Sequence, residues 1–326
     1  MSDSNLTDGI GIGHIHCLLP TELTEVSKLP ENEAFGSAEL DFVRGCGIET
    51  VGVIEQDAGP LATQAVTELM AQGAAEPEVI LLVAGRAPDV LLGSEAARIQ
   101  SEAKLGKAFA LTVDGMGCVG SSAAWSLGAD LLRADPSRSS VLIAHASRPT
   151  GPDRVRPPVT VVGDGAFAMT LVRGGRPVLR AHRAETDGSF HDLFEVRYKE
   201  GPWYEWREEC ADPDRYRFEL ALHSRLRLGR LVEQVLEDAG TILDQVGAVL
   251  MQNVTQSAYS FYRDLLGAEI HPVCGRNLAR YGHLGAMDVV LNLRDLLAEE
   301  AVQPGELVLV LNNSPVAAWA ATLWEV

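Results

Sequence analysis

The sequence has few aromatic residues and no long apolar run. Aromatic residues make up 6% of the 326 residues, although 46% are hydrophobic. No apolar stretch reaches the roughly 18 residues that a membrane-spanning helix needs, and the first residues lack the basic start and apolar segment of a secretory signal. These absences favour a cytoplasmic protein with no membrane partner, and the length allows two domains or one large duplicated domain.

Cysteines are few and scattered. The chain has five, an odd number, and no two of them form a CxxC pair. This pattern argues against a disulfide framework and against a zinc ribbon. In a reducing compartment each thiol is therefore either a core residue or a reactive group.

Positive charge is also in deficit. The formal net charge is −18, which argues against nucleic acid as a partner. Residues 173–230 are an exception, because they hold 12 of the 27 lysines and arginines against 11 acidic residues. Such a locally basic segment suits a phosphate-bearing or acidic partner, and an ordinary solvated helix face is the alternative.

What the sequence does contain is a regular alternation of buried strands and helices. Continuous apolar runs predict strands at 78–84, 108–113, 140–145, 246–251 and 307–311. Helical periodicity predicts helices at 61–73, 120–133, 228–240 and from the Gly-rich turn 282–285 through Leu297. This alternation indicates βαβ units around a parallel sheet. Residues 181–217 are predicted to be an insertion, with an aromatic cluster at 203–206.

Two short turns indicate an internal duplication. The turn GCVG around Cys118 and the turn GHLG around His283 each lead into a helix that contains the tripeptide DLL. Leu131 and Leu296 follow the two residues by the same 13 positions. If the halves pack about a pseudo-twofold axis, Cys118 and His283 each lie at a helix N-terminus, where the dipole favours a thiolate and the histidine is placed to act as a base. Chance alignment of Ala- and Leu-rich helices is the alternative.

Residues 115–120 (GMGCVG) also match the dinucleotide-binding pattern G-x-G-x-x-G, after a strand and before a helix. That fingerprint needs an acidic residue at the end of the next strand to hold the ribose. The next predicted strand ends at 145–148 (HASR) without a carboxylate, and Asp135 precedes that strand. A protein that binds a nucleotide cofactor is therefore kept as a further alternative.

Several motifs together are specific for one family. They are the stretch from Ile99 to Cys118, GDGA at 163–166, YGHLGAMD at 281–288 and the C-terminal residues 307–326. With these motifs the chain resembles the β-ketoacyl-ACP synthase III branch of the thiolase superfamily along nearly its whole length.

The resemblance implies an α/β protein with the thiolase-like duplicated five-layer αβαβα fold, usually a homodimer. Its halves would be residues 1–172, which carry the nucleophile, and residues 173–326, which carry the base.

The sequence departs from the condensing members of that family at two positions. They use a cysteine with a histidine and an asparagine, which polarise a thioester carbonyl while a malonyl group decarboxylates. Here the motif that contains the histidine reads MQNVT at 251–255, so Gln252 (or Met251 in a shifted register) replaces it. The asparagine is replaced by His283. Neither partner for carbon–carbon bond formation is therefore in its usual place.

Cys118, His283 and Asp288 instead resemble a small subgroup from natural-product pathways, which transfers acyl groups to oxygen, nitrogen or another protein. The resemblance implies that Cys118 is the nucleophile, His283 the base and Asp288 the group that orients the imidazole. Five residues along a continuous helix is about 500°, so Asp288 reaches the ring only if His283 precedes the helix. Otherwise Asp288 simply favours the first helical turn.

The expected function is an acyltransferase that moves an acyl group from an acyl-carrier-protein or CoA thioester to a hydroxyl or amine of a small acceptor. Polyketide or antibiotic biosynthesis is the expected setting, with no resident cofactor and no metal, because the thioester is itself a substrate. A decarboxylative β-ketoacyl synthase is the alternative. The predicted substrate contacts are Gln252, Asn253, His191 and Ser314, although an exposed loop position is the alternative for His191.

Two further features follow from the same resemblance. If Pro315 occupies the donor position of the Gly-rich loop that supplies the second oxyanion donor, it has no N–H to give. Ser314 or Val316 would then serve instead, or the oxyanion hole would rest largely on Cys118. In the region where the family docks its acyl donor, this sequence has five arginines: Arg215, Arg217, Arg225, Arg227 and Arg230.

Overall fold

The computed structural model describes residues 9–90 and 92–326. In these residues it has eight α-helices: α1 (Ser37–Gly45), α2 (Ala58–Ala71), α3 (Glu95–Glu102), α4 (Gly120–Ala134), α5 (Ala221–Ala239), α6 (Gln256–Leu266), α7 (Pro272–Tyr281) and α8 (Asp288–Ala298). In the same part of the chain, none of the helices combines the length and apolarity that crossing a bilayer requires.

Nine of the strands form one large sheet. They are β1 (Ile10–Leu18), β4 (Val79–Val83), β5 (Phe109–Val113), β6 (Ser140–Ser147), β9 (Gly165–Arg173), β10 (Val178–Thr186), β13 (Val246–Met251), β14 (Leu307–Ser314) and β15 (Ala318–Glu325). Short strands pair separately: β2 (Leu23–Glu25) with β3 (Thr50–Gly52), β7 (Val155–Arg156) with β8 (Thr160–Val161), and β11 (Phe194–Val196) with β12 (Glu208–Cys210).

The order of strands in the large sheet repeats. The sheet runs β13-β14-β15-β10-β1-β9-β6-β4-β5, and its two halves are joined where β1 pairs with β10. In chain order β1, β4, β6 and β9 therefore correspond to β10, β13, β14 and β15. The counterpart of β5 is reduced to Ile270, which forms an isolated parallel bridge to Val249 of β13. The topology is thus duplicated, as the sequence predicted.

Helices α4 and α8 lie between the two halves of the sheet. Helix α4 packs on β4, β6 and β9 of the first half and reaches β10 and β15 of the second, and α8 contacts β13, β14 and β1. Helices α2 and α3 cover the outer face of the first half, and α5 covers β10 and β15. The result is the αβαβα layering of the thiolase fold, and it buries the helices on which Cys118 and His283 depend.

The predicted insertion is wrong at its start. Residues 181–186 belong to β10, a strand that pairs with β15 along its length. Its sequence does not read as a core strand because Arg180 and Arg183 point to solvent, where Arg183 forms an ion pair with Asp238 of α5. The added segment begins after Thr186.

Candidate active site

Cys118 occupies the centre of a single 3₁₀ turn, Gly117–Val119, that leads directly into α4. Its side chain is buried, with 8% of the residue exposed. The backbone is fixed from the second half of the molecule, because Asn312 Nδ2 of β14 donates to the Cys118 carbonyl oxygen at 2.8 Å. Both halves therefore position the thiol.

His283 is held by backbone hydrogen bonds to the first half of the chain. Its N–H donates to the Val161 carbonyl at 2.9 Å, and its own carbonyl accepts from the Gly163 N–H at 3.1 Å. The preceding Gly282 has a φ of +67°, and a Cβ there would lie 2.8 Å from the Val161 oxygen. Glycine is required at this point because the chain approaches Val161 so closely.

The structure brings Cys118, His283 and Asp288 together in a hydrogen-bonded row. The Cys118 Sγ lies 3.3 Å from His283 Nε2, and His283 Nδ1 lies 2.6 Å from Asp288 Oδ2. Asp288 is fully buried and also accepts from the backbone N–H of Leu284 at 2.7 Å and of Asn253 at 3.0 Å. These bonds fix the carboxylate, which in turn fixes the imidazole.

The two duplicated turns meet their helices differently. Cys118 lies two residues before α4, whereas His283 lies five residues before α8, whose first residue is Asp288. An additional turn at Gly285–Met287 separates His283 from the helix. Because of this turn His283 precedes the helix, so the Asp288 side chain can face back toward the imidazole ring.

The charges of the pair reinforce one another. Burial acts to raise the pKa of the Cys118 thiol, but the adjacent charge and hydrogen bond of His283 outweigh it, so the pKa lies below its ordinary value. For His283, burial acts to lower the pKa, but Asp288 and Cys118 raise it to about 9. The arrangement therefore favours the thiolate of Cys118 beside the imidazolium of His283.

A cavity of about 800 Å³ opens onto the sulfur and the imidazole. Its volume is in the range of small-molecule sites. Gln252 and Ser314, two of the predicted substrate contacts, line it. The Gln252 amide is already engaged, since its Nε2 donates to the Asn313 carbonyl and its Oε1 accepts from the Asn313 N–H, both at 3.2 Å.

The other two predicted substrate contacts lie outside this cavity. Asn253 is fully buried behind the row, where its N–H bonds Asp288 and its Oδ1 accepts from Tyr259 and Asn292. It is a positioning residue rather than a substrate contact. His191 is exposed in a loop, and its ring contacts the Gly188 carbonyl.

Ser314 and Val316 are the two candidates for the second oxyanion donor near Cys118. The Val316 N–H donates to Ser314 Oγ at 3.4 Å. The Ser314 oxygen lies so near the nucleophile turn that a Cβ on Gly117 would come within 2.3 Å of it. The Ser314 hydroxyl therefore lies beside the turn that carries Cys118.

The five arginines near the expected donor site are not equivalent. Arg215, Arg227 and Arg230 are paired with carboxylates of the same region. Arg217 is exposed and lines the cavity, and Arg225 is also exposed.

Sequence reasoning missed two cavity residues, Arg86 and Arg156. Arg86 follows the carboxyl end of the buried strand β4, the edge where ligands of parallel sheets usually bind. That position was a usable signal. No comparable signal exists for Arg156, because the segment around it has no recognisable sequence pattern.

Comparison with known proteins agrees with this architecture. Residues 236–326 match the family described as 3-oxoacyl-[acyl-carrier-protein (ACP)] synthase III C terminal. The β-ketoacyl-[acyl-carrier-protein] synthase III of Synechocystis sp. is 22% identical over 278 residues, which cover 82% of this chain and 83% of the relative.

Solved structures show the same fold over the whole chain. The 3-oxoacyl-[acyl-carrier-protein] synthase III from Aquifex aeolicus superposes with a TM-score of 0.80 at 18% identity, covering 98% of this chain and 100% of its own. A protein named ChlB3, described as an acyltransferase, gives a TM-score of 0.82 at 21% identity, covering 98% of each chain. The C-terminal part of the chain therefore matches the ketosynthase III family, and the whole chain shares the fold of these solved structures.

Proposed function

We propose that this enzyme moves an acyl group from a thioester, through an S-acyl intermediate on Cys118, to a hydroxyl or amine of a small acceptor. The observation that carries the proposal is the hydrogen-bonded row itself. The separations of 3.3 Å from sulfur to imidazole and 2.6 Å from imidazole to carboxylate suit a nucleophile, a base and an orienting carboxylate.

In the first half-reaction the Cys118 thiolate attacks the carbonyl carbon of the donor thioester. The carbon–sulfur bond of the donor breaks, and its thiol leaves with the proton of the His283 imidazolium. Negative charge develops on the carbonyl oxygen in the transition state, and the Ser314 hydroxyl is placed near the nucleophile turn to donate to it.

In the second half-reaction the neutral His283 removes the proton of the acceptor hydroxyl or amine. The acceptor atom attacks the S-acyl carbon, and the bond to Cys118 breaks to regenerate the thiolate. Asp288 stabilises the imidazolium that forms, because its carboxylate lies against Nδ1. The cycle returns to the thiolate–imidazolium pair from which it began.

The bonds of Gln252 weigh against the alternative, decarboxylative condensation. That reaction needs donors directed at a thioester carbonyl while a carbanion forms. Both polar atoms of the Gln252 amide are instead bonded to the Asn313 backbone, and the other expected position holds His283, which is bonded to Cys118 and Asp288.

The proposal includes an acyl-carrier-protein or CoA donor, a natural-product acceptor and a homodimer. Exposed Arg217 lies where a phosphate-bearing arm could meet the cavity. Strand β5 forms one edge of the large sheet and leaves Phe109 69% exposed, which favours pairing with a second copy.

Intact mass spectrometry after incubation with a panel of acyl-CoA and acyl-carrier thioesters tests the first step. We expect a mass increase equal to one acyl group, which hydroxylamine removes and which Cys118→Ala abolishes. If no donor acylates the protein, or the adduct persists in Cys118→Ala, the proposal is wrong.

A panel of small hydroxy and amino compounds then tests the second step on the acylated enzyme. We expect His283→Ala, once acylated, to retain its acyl group in the presence of an acceptor that discharges the wild type. Adding malonyl thioester separates the alternative: release of carbon dioxide with a β-ketoacyl product would identify a condensing enzyme.

A further inference from the structure

One wall of the cavity carries charged side chains that neither attack the substrate nor transfer a proton in the proposed reaction. Arg86, Arg156 and Glu208, here called the arginine wall, have side chains that are 11–16% exposed. Arg86 Nε lies 3.2 Å from Glu208 Oε1, and Arg156 contacts the other carboxylate oxygen. Two guanidinium groups thus share one carboxylate.

Two neighbouring buried groups leave the charge of the arginine wall unchanged. Arg154 forms a bidentate pair with Asp164, with distances of 2.7 and 2.9 Å, and so accounts for that carboxylate. His145, which also lines the cavity, is neutral because burial lowers its pKa to about 4. The arginine wall by itself therefore carries one more positive than negative charge, and it shares the cavity with the row of Cys118, His283 and Asp288, whose thiolate, imidazolium and carboxylate carry one net negative charge.

Three more charged residues line the cavity at its rim: Asp114, Glu195 and Arg217. All three are exposed, so water screens their charges. They therefore contribute little to the balance of charge in the interior of the cavity.

The arginine wall also has unused donor capacity. Within the described residues, the buried Arg156 Nε has no hydrogen-bond partner. Arg86 Nη1 makes only long bonds, at 3.3 Å to Ser147 Oγ and 3.4 Å to the Arg148 carbonyl. The planar fork of an arginine matches the two oxygens of a carboxylate.

The location of Arg86 limits the class of anionic ligand that it can bind. A Cβ placed on Gly285 would lie 3.6 and 3.7 Å from its two terminal nitrogens. Gly285 follows His283 by two residues, so an anion held here lies beside the reacting thioester. The phosphate of a donor arm would be at the opposite end of that arm from its sulfur.

We propose that the acceptor carries a carboxylate, which Arg86 and Arg156 bind beside the S-acyl cysteine. This inference rests on the proposed function and names its substrate class. The acceptor is favoured over the acyl group because of the order of events. An anionic acyl group would have to approach the Cys118 thiolate, whereas the acceptor arrives after acylation has removed that negative charge.

Binding of a simple carboxylate tests the inference without any turnover. Benzoate and its neutral counterpart benzamide would be titrated by calorimetry into the wild type and into Cys118→Ala, which lacks the thiolate. We expect benzoate to bind Cys118→Ala more tightly than the wild type, and benzamide to bind both equally.

Substitutions in the arginine wall should shift benzoate affinity in opposite directions. In the Cys118→Ala background, Arg86→Met should weaken benzoate by about tenfold or more because a charge-assisted bond is lost, and Glu208→Gln should strengthen it. Arg133→Met on the exposed face of α4 is the matched control and should change nothing. Equal affinity for benzoate and benzamide, or an unchanged Arg86→Met titration, would overturn the inference even if acylation proceeds.

Two further comparisons identify which substrate carries the anionic group. If Arg86→Met slows acylation by a succinyl thioester but not by a butyryl thioester, the carboxylate belongs to the acyl group and the acceptor assignment is wrong. If Arg86→Met weakens the binding of phosphopantetheine but not that of pantetheine, the anion is the donor phosphate, and the acceptor assignment is again wrong. Acylation and benzoate binding are separate readouts, so a failure of the proposed function is distinguishable from a failure of this inference.

Discussion

The reactivity of Cys118 is the balance of two opposing effects on one sulfur. Burial favours the neutral thiol, and the imidazolium of His283 at 3.3 Å favours the thiolate. Because His283 wins only while it is charged, its own partner Asp288 matters for the first step as well as for the second. The row therefore acts as a unit rather than as three independent residues.

The first prediction is that iodoacetamide alkylates Cys118 with a midpoint below the ordinary thiol pKa of about 8.5. The thiolate is the reactive form, so the rate is lost as the pH falls through the lowered pKa. In His283→Ala the midpoint should move up, because burial is then opposed only by the smaller effect of Arg86. Cys274, whose pKa burial raises to about 12, is the internal control that stays unmodified. Identical midpoints in the two proteins would contradict the assignment.

The second prediction concerns Asp288→Asn. We expect transfer to the acceptor to slow by about 10²-fold or more, because the amide can hold the imidazole in the wrong tautomer and cannot stabilise its positive charge. The check is the rate at which acylated protein is discharged, followed by mass. The control is Asp130→Asn. Asp130 is exposed on α4, at the position that the duplication relates to Asp295 of α8, and the acylated variant should be discharged at the rate of the wild type. A discharge rate in Asp288→Asn equal to the wild type would assign the carboxylate a purely structural role.

Single residues differ in how far the sequence could place them. Cys118 and His283 could be singled out because each belongs to a short local turn and the duplication relates the turns, and Asp288 was singled out by the family resemblance. The bonds of Gln252 to Asn313, and of Arg86 to Glu208, join residues 61 and 122 positions apart (313 − 252; 208 − 86). No local pattern encodes such contacts, so the engaged amide and the arginine wall required the structure.

At the scale of secondary-structure elements, the start of α4 is the critical one. Gly117 has a φ of +52°, and its missing Cβ leaves room for Ser314 of β14. The same turn sets the direction of the Cys118 side chain and the distance to the oxyanion donor. A small change in the backbone here is therefore expected to affect chemistry before it affects the fold.

The third prediction is that Gly117→Ala slows acylation strongly and destabilises the protein by about 1–3 kcal/mol. The left-handed conformation strains alanine, and the new Cβ would lie 2.3 Å from Ser314 Oγ. Acylation followed by mass and chemical denaturation measure the two effects. Gly106→Ala, where a Cβ meets nothing within 4 Å, is the control and should leave acylation unchanged. Normal acylation by Gly117→Ala would show that the turn tolerates a side chain.

Elements were predictable where the sequence has a clear apolar pattern. The parallel strands β4, β5, β6, β13 and β14 and the helices α2, α4, α5 and α8 read directly as apolar runs or helical periods. The antiparallel strand β10 did not, because the exposed Arg180 and Arg183 interrupt its apolar pattern. That is why part of a central strand was assigned to an insertion.

For the molecule as a whole, the duplication explains why one site needs both halves. The nucleophile belongs to the first half and is fixed by Asn312 from the second, while His283 belongs to the second and is fixed by Val161 and Gly163 from the first. Helix α4, between the two halves of the sheet, carries Trp125. This fully buried ring packs edge-on against Trp324 of β15, with centroids 5.3 Å apart, and its Nε1 lies 3.1 Å from Met169 Sδ of β9.

The last prediction follows from that central ring. Trp125→Ala should cost about 3–5 kcal/mol, since it leaves a cavity against both halves, and the two halves should lose stability together. Hydrogen exchange at increasing denaturant checks this: peptides from β6 and from β14 should open at the same denaturant concentration, lower in the variant than in the wild type. Trp203→Ala, 64% exposed, should change stability by no more than about 0.5 kcal/mol. If β6 opens earlier in Trp125→Ala while β14 does not, the halves are stable independently and the site is an assembly of two separately folded parts rather than a product of one cooperative core.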